Sequence, residues 1–151
     1  MMKGIFRYKN SKNHVMPIRM TIHSKGVHMK SPIGWFDIPT KDLDRAATFY
    51  SAVIGKSVNI SEFMGMKMGF FPMEKDGEVG GALMPPDTGN SPSKIGTRVY
   101  FTFDGNLDEA IARVEPAGGK ITMPKMAIGE AGFVAMMEDT EGNQVGLHSY
   151  K

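Results

Sequence analysis

Trp35-Phe36-Asp37-Ile38-Pro39, then Asp42-Leu43-Asp44-Arg45-Ala46-Ala47, then Phe49-Tyr50 and Gly55-Lys56, form the stretch from which the fold of this chain can be read. Ile33 to Pro39 reads as a strand, ended by Pro39, which cannot donate to a sheet ladder. Thr40 or Asp42 can cap the helix that follows. Its Leu43, Ala46, Ala47, Tyr50 and Val53 recur at three- and four-residue spacing as one buried stripe. Gly55 ends the helix where a left-handed residue is needed. The pattern then returns. Leu43-Asp44-Arg45-Ala46 comes back 64 residues later as Leu107-Asp108-Glu109-Ala110, and Gly55-Lys56 as Gly119-Lys120. An offset held across a strand, a helix and a turn marks two copies of one supersecondary unit.

The strands between these landmarks complete each copy. After Gly55 come candidates at Ser57 to Phe63, Lys67 to Phe71 and Glu78 to Met84, with Glu74-Lys75-Asp76-Gly77 as the turn before the last. Pro85 to Gly96 is rich in Pro, Gly, Ser and Asn and reads as a linker, residues 85–96, between modules at about 33–84 and 97–150. The second copy runs from a strand at Arg98 to Phe103 into a helix from Leu107 to Pro116, stopped by Gly118-Gly119. Strands follow near Lys120 to Met123, Phe133 to Glu138 and Gln144 to His148, the last two joined by Asp139-Thr140-Glu141-Gly142-Asn143. The order is βαβββ twice, an α+β pattern of otherwise antiparallel strands interrupted by helices.

Composition narrows the class. At 151 residues, 41% hydrophobic and 23% charged, the chain suits one ordinary soluble domain and leaves little room for two independent ones. No apolar run approaches the ~18 residues that span a membrane. The lack of cysteine excludes disulfides, thiolate metal sites and thiol nucleophiles, and fits a cytoplasmic protein. Residues 1–32 hold seven Lys or Arg and no acid, whereas the rest holds eleven basic and sixteen acidic residues. An acidic body argues against a nucleic-acid-binding domain. The basic leader has no apolar segment of the secretory type. It is expected to be a disordered, dispensable extension, with Met29 standing directly before the patterned domain. An organellar presequence and a nucleic-acid arm are the alternatives.

The run from Trp35 to Tyr50 resembles the opening of a vicinal oxygen chelate domain, the superfamily of glyoxalase I, bleomycin-resistance proteins, fosfomycin-resistance enzymes and extradiol dioxygenases. Glu138-Asp139-Thr140-Glu141-Gly142-Asn143, followed by Gln144-Val145-Gly146-Leu147-His148, is similar to that family's final hairpin. The resemblance covers about 33–150. It implies two tandem βαβββ modules whose mixed sheets form a cupped central cleft, and dimers in which modules of two chains complete the cleft. In metal-dependent members four strands supply His, Gln or Glu to a divalent ion. Those positions fall here on Trp35, at or near Ala82, on Arg98 within one residue, and on Gly146. None suits a hard cation, which needs carboxylate, imidazole or carbonyl donors.

Side-chain alternation identifies the cleft independently. With Phe36, Ile38, Val99, Phe101, Phe103, Val145 and Leu147 turned to the helices, the opposite face carries Trp35, Asp37, Ala82, Met84, Arg98, Tyr100, Thr102, Gln144 and His148. Such a mixed aromatic and polar lining suits an organic molecule. Asp37 and His148 are the candidate pair for proton transfer, since a carboxylate can orient an imidazole. Alternatively His148 is half exposed near the chain end and Asp37 pairs with Arg98 or a backbone amide. Arg98 can bind an anionic ligand or neutralise Asp37. Trp35 can stack on a ring or fill the space a metal would take. Met64, Met66, Met68, Met136 and Met137 can form an adaptable wall, or pack in the core or a dimer interface.

The expectation is a small-molecule binding protein without metal or other cofactor, acting as a homodimer on a small organic ligand. The ligand-binding residues would be Trp35, Asp37, Met84, Arg98, Tyr100, Thr102, Gln144 and His148. A glyoxalase-like lyase or isomerase using Asp37 and His148 is the alternative. A regulatory or interaction module, its cleft closed by Trp35 and Met84, is the third reading.

Overall fold

The computed structural model describes residues 6–9, 15–18, 33–74, 78–86 and 88–151. Met1–Pro32 and Ile33–Lys151 are two compact units, and each is described by itself. In the first, β1 (Phe6–Lys9) pairs antiparallel with β2 (Val15–Ile18), Phe6 opposite Ile18. The rest of the leader, for which disorder is expected, lies outside the described residues, as do Lys75, Asp76 and Gly77 of the expected turn.

The second unit contains the repeat. The first copy is β3 (Trp35–Pro39), α1 (Leu43–Ile54), β4 (Asn59–Phe63), β5 (Met66–Phe70) and β6 (Gly80–Met84). The second copy is β7 (Tyr100–Phe103), α2 (Leu107–Val114), β8 (Lys120–Ala127), β9 (Phe133–Glu138) and β10 (Gln144–Ser149). A short 3-10 turn, Gly129–Ala131, separates β8 from β9. Strand order is β3-β6-β5-β4 in one sheet and β7-β10-β9-β8 in the other. In each, the first strand runs parallel to the last and the remaining neighbours are antiparallel. Two mixed four-stranded sheets of one topology are what a duplicated βαβββ unit requires.

Local chemistry sets the helix limits. Asp42 caps α1 by accepting from the Arg45 amide at 2.9 Å, and Gly55 closes it at φ 72°. Asn106 caps α2 through the Asp108 amide. The tight β4–β5 connection, Met64-Gly65, has positive φ at both residues (51° and 81°), as a two-residue hairpin turn needs. Of the expected α1 stripe Ala46, Ala47, Tyr50 and Val53 are buried, Phe49 joins them, and Leu43 at the first turn is only half-buried.

Both helices and the inner faces of both sheets share one core. Ile38, Tyr50, Val53 and Leu83 of the first copy pack in the same cluster as Leu107, Val114, Met137 and Leu147 of the second. Phe101 joins the copies, with ring centroids 5.9 Å from Phe36, 5.7 Å from Tyr50 and 5.2 Å from Phe71. With the inner faces used for folding, the outer faces remain for function. No described helix is long and apolar enough to cross a membrane.

Candidate functional site

The outer faces are organised by glycine. β3 lies beside β6 with Trp35 opposite Gly80 and Phe36 opposite Gly81. A Cβ on Gly80 would lie 2.5 Å from Trp35 Cζ3, and one on Gly81 would lie 2.3 Å from Phe36 Cζ. The adjacent glycines therefore receive one aromatic ring on each face of the sheet. Of the close approach and the bulge that Gly80-Gly81 would allow, the structure uses the close approach. The second sheet repeats the outer half of this device. Tyr100 lies opposite Gly146, where a Cβ would come within 2.2 Å of Tyr100 Cδ1. Trp35 and Tyr100 are each 44% exposed, so both rings present a face to solvent.

Around these platforms the expected residues fall into two groups. On the first sheet Trp35 Nε1 donates to Asp37 Oδ1 at 2.9 Å, and Trp35 meets the edge of Phe70. Ala82 is buried, and half-buried Met84 ends β6. On the second sheet Arg98 Nη2 donates to Gln144 Oε1 at 3.1 Å, and Gln144 Nε2 donates to Thr122 Oγ1 at 3.1 Å. Thr102 Oγ1 lies 3.3 Å from His148 Nδ1, and His148 Nε2 lies 2.8 Å from the carbonyl oxygen of Ala131. A carbonyl only accepts, so Nε2 carries a hydrogen and donates it to Ala131, while Nδ1 is in contact with the Thr102 hydroxyl. Along β7 and β10 the rungs are thus Tyr100 with Gly146 and Thr102 with His148, and just before β7, which starts two residues later than expected, Arg98 meets Gln144 through its side chain.

Asp37 and His148 are not hydrogen-bonded to each other. Nor does Asp37 neutralise Arg98: one is held by Trp35, the other by Gln144. An open hollow of ≈ 290 Å³ lies where the copies meet, lined by Phe36, Phe71 and Phe101 among others. Of the residues expected to bind ligand, only Thr102 lines it.

A resident divalent ion, implied by the resemblance, does not fit these residues. The register places Tyr100, rather than Arg98, as the counterpart of Trp35, and Gly80 as that of Gly146. Trp35, Gly80, Ala82, Arg98 and Gly146 offer no side-chain donor to a hard cation, and Tyr100 only a phenol. Among the described residues no three His, Asp or Glu side chains gather at a point where they could share an ion.

A second polar centre, not expected from the sequence, sits in the turn between β9 and β10. The Glu141 carboxylate is fully buried. Its Oε2 accepts the backbone amides of Lys41 and Asp42 at 2.7 and 2.9 Å, and both oxygens take the Arg45 fork at 2.9 and 3.0 Å. Burial opposes the charge, but the Arg45 fork, these two amides and the Thr140 hydroxyl outweigh it, holding the carboxyl below its usual range. Next to it, buried Asp139 accepts Tyr50 Oη at 2.7 Å and the amides of Glu141 and Asn143. Burial, then the Asp139 charge, push the Tyr50 phenol well above its usual value. Asn143 Nδ2 donates to the Pro39 carbonyl at 2.9 Å. The turn of the second copy thereby fastens the end of β3 and the start of α1. The available signal was two acids and an Asn in one five-residue turn, with Arg45 and Tyr50 on the first helix to receive them.

The model of the Glyoxalase/Bleomycin resistance protein/Dioxygenase superfamily matches residues 32–147. Proteins of Mycobacterium bovis and Mycobacterium tuberculosis, each named "Putative glyoxylase CFP32", are 30% identical over 115 residues, which is 75% of this chain and 43% of theirs. This chain thus spans less than half the length of those relatives. A solved glyoxalase/bleomycin resistance protein from Albidiferax ferrireducens has a TM-score of 0.62 at 16% identity, covering 79% of this chain and 98% of that one. The fosfomycin resistance protein FosX of Listeria monocytogenes gives 0.57 at 18% identity, covering 80% and 94%. At these identities the structural likeness concerns the fold.

Proposed function

We propose that this chain, which belongs to the Glyoxalase/Bleomycin resistance protein/Dioxygenase superfamily, binds a small organic ligand on its outer sheet faces without a metal ion. The observation that carries the reading is the pair of aromatic-over-glycine platforms. Trp35 on Gly80 and Tyr100 on Gly146 put rings and glycines at strand positions where the resemblance implies metal ligands, which supports this reading. Flat, half-exposed rings flanked by Asp37, Arg98, Gln144 and His148 supply stacking area and orienting polar groups, the usual division of labour in a ligand site. The working form in this reading is a cytoplasmic homodimer, whose twofold axis would bring outer faces of two copies together.

The test is metal analysis of purified protein joined to native mass spectrometry. The expected result is less than a tenth of an equivalent of Zn, Ni, Mn or Fe, a dimer mass, and a bound organic molecule that survives chelation. Stoichiometric metal whose removal releases that molecule would overturn the reading.

A glyoxalase-like lyase is the second reading, favoured by the name carried by the mycobacterial relatives. Within one chain Asp37 and His148 have separate partners, so each would act on the substrate alone. Metal-independent turnover of an α-oxoaldehyde–thiol adduct that is lost in His148→Gln would support it.

A further inference from the structure

We propose that the second sheet's outer face takes a planar, ring-bearing organic anion, its ring on Tyr100 and its carboxylate or phosphate on Arg98. This rests on the reading that the outer faces bind a small organic molecule.

The argument begins with charge. Arg98 is exposed and makes its hydrogen bond to a neutral amide, Gln144 Oε1. A guanidinium has five N–H donors in a fixed fork, so most remain for a ligand. The acids that could quench it are engaged elsewhere. Glu138, directly opposite Gln144 on β9, holds Lys94 at 2.7 Å, and Asp37 holds Trp35. Among the described residues no carboxylate lies within ion-pair distance of Arg98.

Orientation is built in as well. Thr122 accepts from Gln144 Nε2, which turns Oε1 toward Arg98 and fixes which edge of the amide the guanidinium meets. An exposed arginine on a flexible stem would lose rotamer freedom on binding, and this tether removes part of that cost in advance.

The neighbouring ring sets the ligand's shape. Tyr100 lies directly over Gly146, and its other face is open. Arg98 and Tyr100 are two residues apart, about 7 Å along an extended chain. Ring and anion in the ligand must therefore be separated by only a few bonds. Thr102 and His148 on the next rung are engaged with each other and with Ala131, so the charge offered to a ligand is at the Arg98 end of the site.

The experiment is an NMR titration of the full chain in EDTA with benzoate, phenyl phosphate, benzyl alcohol and acetate. Benzoate or phenyl phosphate is expected to shift the amides of Tyr100 and Gly146 with millimolar or better affinity. Benzyl alcohol, which lacks the charge, and acetate, which lacks the ring, should each bind at least tenfold more weakly. Arg98→Met should weaken the aryl anions more than tenfold, Arg98→Lys less, and neither should move the melting temperature, because the side chain is exposed. Equal binding of benzyl alcohol, insensitive to Arg98→Met, would overturn the inference while leaving a metal-free organic site standing. No response to any probe at 10 mM would overturn it too. Binding that appears only with added Zn or Mn would instead overturn the metal-free reading. If that binding still fell in Arg98→Met, the anion assignment would survive on its own.

Discussion

The outer faces of the two sheets share a scaffold and differ in chemistry. In both, an aromatic residue of the first strand lies over a glycine of the parallel last strand, Trp35 on Gly80 and Tyr100 on Gly146. On the first face the surroundings are apolar: Phe70 against Trp35, Phe63 against Phe70, buried Ala82, with Asp37 as the acid. On the second face Thr102 and His148 stand where the first has Asp37 and Ala82 and are in hydrogen-bond contact with each other, while Arg98 donates to Gln144. Duplication has kept what close backbone approach demands and let the functional groups drift. A ring lying flat on the strand beside it needs a position without a Cβ, whereas the groups on either side are free to change with the ligand.

The copies also differ in what they do for each other. The last turn of the second copy reaches the first, since Glu141 takes both amides at the start of α1 and the Arg45 fork. The largest effect is expected here. Glu141→Ala should destabilise the fold by about 2–3 kcal/mol, below the full buried-pair range because Arg45 is half exposed and can turn to water. Chemical denaturation of Glu141→Ala beside Asp108→Ala, which removes an exposed pair to Lys125, would measure the contrast. A loss for Glu141→Ala no larger than for Asp108→Ala would mean that the turn does not fasten the two copies.

The same carboxylate gives a smaller, pH-dependent effect. Its folded-state pKa lies below the unfolded one, so its contribution is fully present above the ordinary carboxylate range and is lost as pH falls through the lower folded value. Melting temperature should therefore drop on acidification below about pH 4.3, the ordinary glutamate value. Glu141→Gln should start lower and follow a flatter course over that interval. Parallel pH profiles would refute the assignment.

Legibility in the sequence followed the same division. The βαβββ repeat could be read because turn glycines, an N-cap acid and three- and four-residue spacing are local requirements, and Asp42, Gly55 and the α1 stripe meet them in the structure. The outer-face set was legible because strand alternation is a strict period of two: Trp35, Asp37, Tyr100 and Thr102 are exposed between half-buried or buried Phe36, Ile38, Phe101 and Phe103. Partners across strands were not legible. The length of the chain between β3 and β6 gives no register, so the positions opposite Trp35 and Tyr100 emerged only from the pairing. Nor does spacing reveal that Glu141, 96 residues from Arg45, closes on it. Long-range polar contacts depend on the packed core, which no local pattern encodes.

The smallest expected effect separates the platforms themselves. Gly80→Ala and Gly146→Ala each put a methyl group into a ring, 2.5 Å from Trp35 Cζ3 or 2.2 Å from Tyr100 Cδ1. Both rings are on outer faces and can swing toward solvent, so each substitution should cost only about 1 kcal/mol. The costs should not be equal. At Gly146 the methyl also comes within 2.6 Å of Tyr100 Cγ, near the root of the side chain, so the whole ring must rotate about χ1. At Gly80 it meets the far edge of the indole and the Met73 sulfur at 2.8 Å, both of which can yield by small torsions. Gly146→Ala is therefore expected to be the more damaging for benzoate binding, although Trp35 is the larger ring. Tryptophan fluorescence should move only in Gly80→Ala. If Gly80→Ala abolishes binding of the aryl anion and Gly146→Ala leaves it intact, the ligand lies on the apolar face, and the first sheet rather than the second carries the binding chemistry.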